Sequence, residues 1–346
     1  MCRAGNAITI FVGWQLETHV ATSFGSKTWR RFVRKELHSR AVGRSEHTCR
    51  EFDMGYELWT SPVTGYRRHG TRLRDFNDSL GSKIRVSEIA ESLRSCPAMA
   101  LSEDVVHLLE VRDFDIAGVR TSEDSPVLGF VRREDLKSGL VQNHVQDIDE
   151  QRVVMSDMIL PHLLERLGSI SFVFVLSGDG ITGILTLADL NKPIVRAYLF
   201  GLISLLEIHM GYWASIEYPG ETWRDALSSK RMAAAARKQE ERKRRGQHLG
   251  LFQCLEFGDK KILIAKSKQL RQMLNLGSRN KTDDLLGDAE NLRNSLAHSQ
   301  YDLSGHGSWS NLIALVQKIQ AVISTSDAAV EARASELASK DLGALW

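Results

Sequence analysis

Cysteine is scarce in this chain. Cys2, Cys49, Cys96 and Cys254 are the four among 346 residues, and no two stand at a metal-ligand spacing. That scatter argues against a zinc site and a disulfide framework, and it suits a reducing cytosol. No apolar stretch with a small-residue cleavage site follows the start, which argues against secretion. The most apolar run, Ala197 to Trp213, is interrupted by Glu207 and His209. It falls short of the roughly 20 residues that cross a bilayer, so a buried helix is expected and no membrane partner. An excess of charge is missing as well: the net value is +2, which names no partner class. No clustered set of acidic metal ligands occurs.

What is present is unevenly spread. Residues 1 to 50 hold nine Lys or Arg against three acids, and a second basic run occupies 230 to 245. Residues 1–53 are expected to be a basic, weakly ordered extension, with Met54 as an alternative start. Residues 54–83 are rich in turns and arginine. There Arg67 and Arg68 stand among glycines, which suits either a solvated basic loop or a loop that closes over phosphates.

The central feature is Gly183-Ile-Leu-Thr-Leu-Ala-Asp-Leu190, echoed 54 residues upstream by Gly129-Phe-Val-Arg-Arg-Glu-Asp-Leu136. Gly183 and Gly129 leave room for close approach to the backbone. Thr186 offers a hydroxyl to a phosphate, and Asp189 offers acceptors to ribose hydroxyls. An isolated match would be an ordinary strand-to-helix turn capped by Thr186 or Asp189. The match is not isolated, however. Laid over 155–190 without a gap, residues 101–136 place Ser102 on Ser156, Arg112 on Arg166, Ile116 on Ile170 and Asp135 on Asp189. Each copy predicts a helix capped by its serine, a strand, a turn, a second strand, and the start of another helix. Pro161 should delay or bend the second copy's helix. Residues 137–154 connect the copies and suggest no chemistry of their own.

After Pro193 the texture becomes helical. The run IVRAYLFGLISLLEIHMGYW is apolar nearly all round, so it should be buried until Pro219-Gly220 ends it. Further helices are predicted at Trp223 to Arg245, Asp259 to Asn275, Asp283 to Ser299 and Trp309 to Ser324, with residues 326–346 as an Ala-rich tail helix or frayed end. Glu207 and His209 interrupt the first of these helices. Two positions apart, they do not share a face, so at most one should reach a cleft. The basic helix offers Arg237, Lys238, Arg242, Lys243, Arg244 and Arg245 to an RNA backbone, or is a solvated helix held by charge pairs with Glu240 and Glu241.

Two resemblances follow from these motifs. The repeat, over residues 84–195 with units 84–138 and 139–195, resembles a tandem pair of cystathionine-beta-synthase (CBS) domains. The resemblance implies a module that binds adenosine-containing ligands in clefts between its units, with Thr186 toward phosphate and Asp189 on the ribose. The first copy has Arg132 where the hydroxyl belongs, beside Asp135. A guanidinium can still pair with phosphate, and the second-copy cleft is the better candidate.

Residues 196–325 contain Arg293-Asn-Ser-Leu-Ala-His298, which is similar to the signature of HEPN domains, helical bundles many of which are metal-independent ribonucleases. Arg293 and His298 are separated by roughly 140 degrees of helical rotation and flank one face. The resemblance implies His298 as general acid or base, Arg293 as stabiliser of phosphate charge and Asn294 as orienting group. Glu207 is a further catalytic candidate. In a symmetric homodimer two such sets can surround one scissile phosphate. His306, in a glycine-rich loop, is read as a loop histidine.

The expectation is thus an α+β protein, a tandem CBS pair followed by an all-α bundle. Its regulatory ligand would be an adenine nucleotide, AMP, ADP, ATP or a related adenosyl compound, with no cofactor and no metal required. RNA, tRNA among the candidates, would be the substrate. The rival expectation is a non-catalytic regulator whose bundle only dimerises or binds RNA or a partner. The HEPN resemblance also suggests a stress, toxin or defence role.

Overall fold

The computed structural model describes residues 70–345 apart from 168–169, 299–302 and 304–308. The expected extension 1–53, Arg67, Arg68 and His306 lie outside the described residues. Those described belong to one unit, Asp53–Trp346.

The repeat folds as two small sheets. In the first, β2 (Ser95–Pro97) runs parallel to β3 (Ile116–Arg120), which pairs antiparallel with β4 (Gly129–Arg132). In the second, β5 (Val153–Met155) runs parallel to β6 (Phe172–Ser177), which pairs antiparallel with β7 (Gly180–Thr186). The same parallel edge strand and antiparallel hairpin therefore occur twice. The second sheet gains a fourth strand, β1 (Glu91–Ser92), which precedes the first sheet in sequence and joins the far edge of β7.

Upstream of β1 stand two short helices, α1 (Leu73–Ser79) and α2 (Val86–Ile89). The repeat helices are α3 (Ser102–Val111) and α4 (Leu160–Leu167). Neither serine caps its helix as expected. Leu101 occupies the cap of α3, so Ser102 is its first helical residue, and its buried hydroxyl finds no hydrogen-bond partner. Ser156 lies four positions before α4. That helix starts late because Pro161, which lacks an amide donor, is tolerated only in its first turn. After β4 and β7 the chain makes only 3-10 turns, Arg133–Asp135 and Leu187–Asn191, where α-helices were expected.

The bundle opens with α5 (Pro193–Glu217), whose first helical residue is the expected proline. Its 25 residues are long and apolar enough to cross a bilayer, which the predicted run was not. Yet Val195, Tyr198, Leu199, Leu202, Ile203 and Leu206 are all buried in the fold. Next come α6 (Ser229–Arg244), α7 (Phe257–Lys266), α8 (Lys268–Met273), α9 (Arg279–Ala297) and α10 (Trp309–Leu345). One predicted helix is two here, because Ser267 ends α7 and caps α8 by accepting the amide of Leu270 at 3.0 Å. The predicted tail is instead continuous with α10.

The cores explain how these parts join. The first repeat has a small core of its own, with Val105, Leu109, Val119 and Val131. The second repeat does not: Val173, Val175 and Leu185 share one core with Leu199, Leu202, Ile319 and Ile323 of the bundle. Between the sheets Phe130, Phe172 and Phe174 pack ring to ring, with centroids 5.1 to 5.7 Å apart. The second repeat and the bundle are thus packed on one continuous core, while the first repeat has its own.

Candidate functional site

The two repeats face each other across a cleft of about 1160 Å³. The second copy contributes Phe172, Ile184, Thr186 and Asp189, and the first contributes Phe114, Ile116 and Arg132. The sequence predicted separate clefts for the two motifs, whereas Arg132 here lines the same cleft as Thr186 and Asp189. Gly183, Gly129 and Asp135 do not line it. An added Cβ on Gly183 would stand 2.9 Å from the Glu91 carbonyl oxygen, and one on Gly129 would stand 2.5 Å from that of Gln146. Backbone of Glu91 in β1 and of Gln146 thus packs closely against these glycines. Asp135 accepts a hydrogen bond from Gln146 Nε2 at 2.7 Å.

Thr186 and Asp189 form the local cap that their spacing also allowed. Asp189 Oδ2 accepts from the Thr186 amide at 2.7 Å and from its hydroxyl at 3.1 Å. Lys192 Nζ stands 3.1 Å from Asp189 Oδ1, 2.5 Å from Glu91 Oε1, and donates to the Ile89 carbonyl. Burial opposes the Lys192 charge, but hydrogen bonds to Glu91 and Asp189 outweigh it and raise its pKa. Of the roughly four acceptor positions of a carboxylate, three are used on Asp189, so one remains for a ribose hydroxyl. Rotating the Thr186 hydroxyl toward a phosphate would release a second.

Phe114 is the aromatic the sequence did not single out. Asp113 adopts φ +53 after α3, and the Phe114 amide donates to the Leu109 carbonyl at 2.8 Å. This left-handed helix end projects Phe114 onto the cleft wall with 38% of its surface exposed. Arg132 lies over Phe172, its guanidinium carbon 5.2 Å from the ring centroid, and stands 3.4 Å from Glu134.

In the bundle, Arg293 and Asn294 sit near the C-terminal end of α9, and exposed His298 is its C-terminal cap, donating its amide to the Asn294 carbonyl at 2.9 Å. Arg293 Nη2 approaches Glu207 Oε2 at 4.0 Å, and its Nη1 donates to Asn294 Oδ1 at 3.4 Å. Glu207 also receives Lys260 Nζ at 2.8 Å. Glu207 therefore reaches the RNSLAH helix, and Lys260 joins it from α7, a pairing without any local sequence signal.

His209 turns inward and is 1% exposed. Its Nδ1 meets Ser326 Oγ, which also accepts from Trp213 Nε1 at 2.7 Å, and its Nε2 lies 3.6 Å from Asp327. That cluster ties α5 to α10. On α6, Lys238 pairs with Glu256, Arg244 with Glu240 and Arg245 with Glu241, while Arg242 donates to Gln247. These contacts match the charge-paired reading of that helix; Arg237 and Lys243 lie on it as well.

The turn after Asp189 contacts the bundle: Asn191 accepts the Leu303 amide at 2.9 Å, and within the bundle Arg196, near the start of α5, donates to the Ser295 carbonyl of RNSLAH at 3.2 Å.

No family model matches the chain, and neither does any curated protein. Solved structures do, and several are CBS-domain proteins. The CBS domain of a bacterial CNNM/CorC family Mg2+ transporter, in complex with ATP, is similar at 21% identity with a TM-score of 0.29, covering 37% of this chain and 98% of that one. A conserved CBS domain protein of unknown function from Thermoplasma acidophilum is 17% identical with a TM-score of 0.28, over 33% of this chain and 71% of that one. A putative acetoin utilization protein from Vibrio cholerae is 18% identical with a TM-score of 0.28, over 31% of this chain and 86% of that one.

Proposed function

We propose that this chain is a nucleotide-responsive regulator. Its tandem CBS pair, residues 84–195, binds an adenine nucleotide and controls a metal-independent endoribonuclease of HEPN type in the bundle. The observation that carries the sensing part is the cleft, which both repeats line and in which Thr186 and Asp189 stand together. Phe114 offers a face to the base, Asp189 an acceptor to the ribose, and Thr186 with Arg132 donors to phosphate oxygens.

The effector part rests on RNSLAH. His298 serves as acid or base and Arg293 stabilises charge on the phosphate, in a homodimer that brings two α9 ends together around RNA. A ligand with differential affinity for two arrangements shifts the population between them, with Arg196 carrying that shift into α9 and Asn191 into the segment after it.

Incubating the purified protein with total RNA across titrations of AMP, ADP and ATP, then mapping cut ends, tests both parts. Nucleotide-dependent cleavage is expected. Cleavage unchanged over the full titration overturns the regulation. No cleavage at all favours a second reading, a non-catalytic regulator, which draws on the contacts of Arg293 with Glu207 and Asn294.

A further inference from the structure

The charge lining the cleft has consequences for its ligand. Six carboxylates line it: Glu91, Glu110, Asp113, Asp115, Glu134 and Asp189. The cations on the same walls are Arg94, Arg132 and Arg133, with Lys192 just behind. Most of these cations are already engaged. Arg133 stands 2.6 Å from Asp115, Arg132 3.4 Å from Glu134, and Lys192 contacts both Asp189 and Glu91. Glu110 and Asp113 have no cationic partner among the described residues, and both are exposed at the end of α3.

A polyphosphate entering here would meet a surplus of negative charge, with Arg94 the one lining cation outside the ion pairs named, and would have to break those pairs to obtain more. A magnesium ion carried on the phosphates would offset that repulsion, so the repulsion acts in full only on the metal-free nucleotide. The cleft is otherwise suited to a nucleoside, with Phe114, Val106, Ile116 and Ile184 for a base and Asp189 for a sugar.

We propose that this cleft selects an adenosyl ligand of low negative charge, a nucleoside or nucleoside monophosphate, and discriminates against metal-free nucleoside triphosphates. Glu110 and Asp113 are the specificity-determining residues. The proposal rests on the cleft being the adenine-nucleotide site.

Titration calorimetry with adenosine, AMP and ATP, in chelator-treated buffer of low ionic strength, tests it on the full chain. Adenosine or AMP should bind more tightly than ATP by about tenfold or more, since like charges repel most where salt screening is weakest. The double variant E110Q/D113N removes both unpaired charges while asparagine tolerates the left-handed backbone. It should narrow the gap mainly by tightening ATP, with adenosine affinity unchanged. ATP binding more tightly than AMP to the wild type, or a gap unmoved in the variant, overturns the charge argument and leaves the cleft reading intact. If none of the three ligands binds, the cleft reading fails and this proposal with it.

Discussion

Asn191 Oδ1 accepts the backbone N–H of Leu303 at 2.9 Å, so the turn that carries Asp189 is bonded to the segment that follows RNSLAH. Leu303 is fully buried, and an amide left without an acceptor there would bear the full cost of desolvation. Asn191→Ala should therefore lower stability by about 1–3 kcal/mol, read from chemical denaturation. It should leave nucleotide affinity within error, because Asn191 does not line the cleft, while weakening the nucleotide's effect on the bundle. A variant as stable as wild type, with full nucleotide response, would show that this bond transmits nothing.

Gly129 presents a test of how the repeat is held together. The Phe130 amide donates to the Gln146 carbonyl at 3.0 Å, and the Phe130 carbonyl accepts from the Gln146 amide at 2.8 Å. A methyl group added at Gly129 would press on that same Gln146 carbonyl. Gly129→Ala should destabilise the chain by about 1–3 kcal/mol, as overpacking does. Gly180→Ala is the control: open space surrounds that position, so the substitution should be neutral or stabilising by up to about 1 kcal/mol. Equal melting temperatures for the two variants would remove Gly129 from the packing argument.

The repeat was readable because the shared frame of 101–136 and 155–190 repeats the alternation of apolar and polar positions along a fixed strand-and-helix order. Pro193 was equally readable, since its ring fits the first turn of a helix and little else. What escaped was set by contacts distant in sequence. Glu207 meets Arg293 and Lys260 through the packing of α5, α7 and α9, and no local spacing encodes that. Ser267 breaks a helix without any Gly or Pro, its hydroxyl donating to Glu217 while capping α8. Thr186 and Asp189 carried two compatible meanings, a cap and a ligand clamp. The cap is formed, and the lysine that neutralises Asp189 lay three residues on, at the spacing of a helical ion pair.

Tyr198 ties the first bundle helix to both neighbours, its hydroxyl donating to Asn77 at 2.9 Å and accepting from Gln320 at 3.2 Å. Burial raises its pKa from 10.0 to about 12, against a lowering by Gln320 and with a further rise from Glu165. The folded state holds this proton more tightly than the unfolded one. Stability is thus unaffected by this group below pH 10 and falls as the pH rises from 10 toward 12. Denaturation at about pH 8 and about pH 11 should show wild type losing more stability over that interval than Tyr198→Phe. Equal losses would mean that Tyr198 ionises as freely folded as unfolded.

The catalytic assignment makes the most exposed prediction. His298 stands at the open end of α9, where its ring takes no part in the core, while Arg293 is half-buried beside Glu207. Replacing either by alanine should abolish RNA cleavage while leaving adenine-nucleotide affinity unchanged. The effects on folding should differ: His298→Ala should change stability by no more than about 0.5 kcal/mol, as exposed substitutions do. Arg293→Ala leaves Glu207 with Lys260 as its partner, so any loss of stability there should stay near about 1 kcal/mol. A wild-type cleavage rate in both variants would sink the assignment. Loss of activity only in the Arg293 variant, together with a large loss of stability, would make the arginine a structural link between α5 and α9.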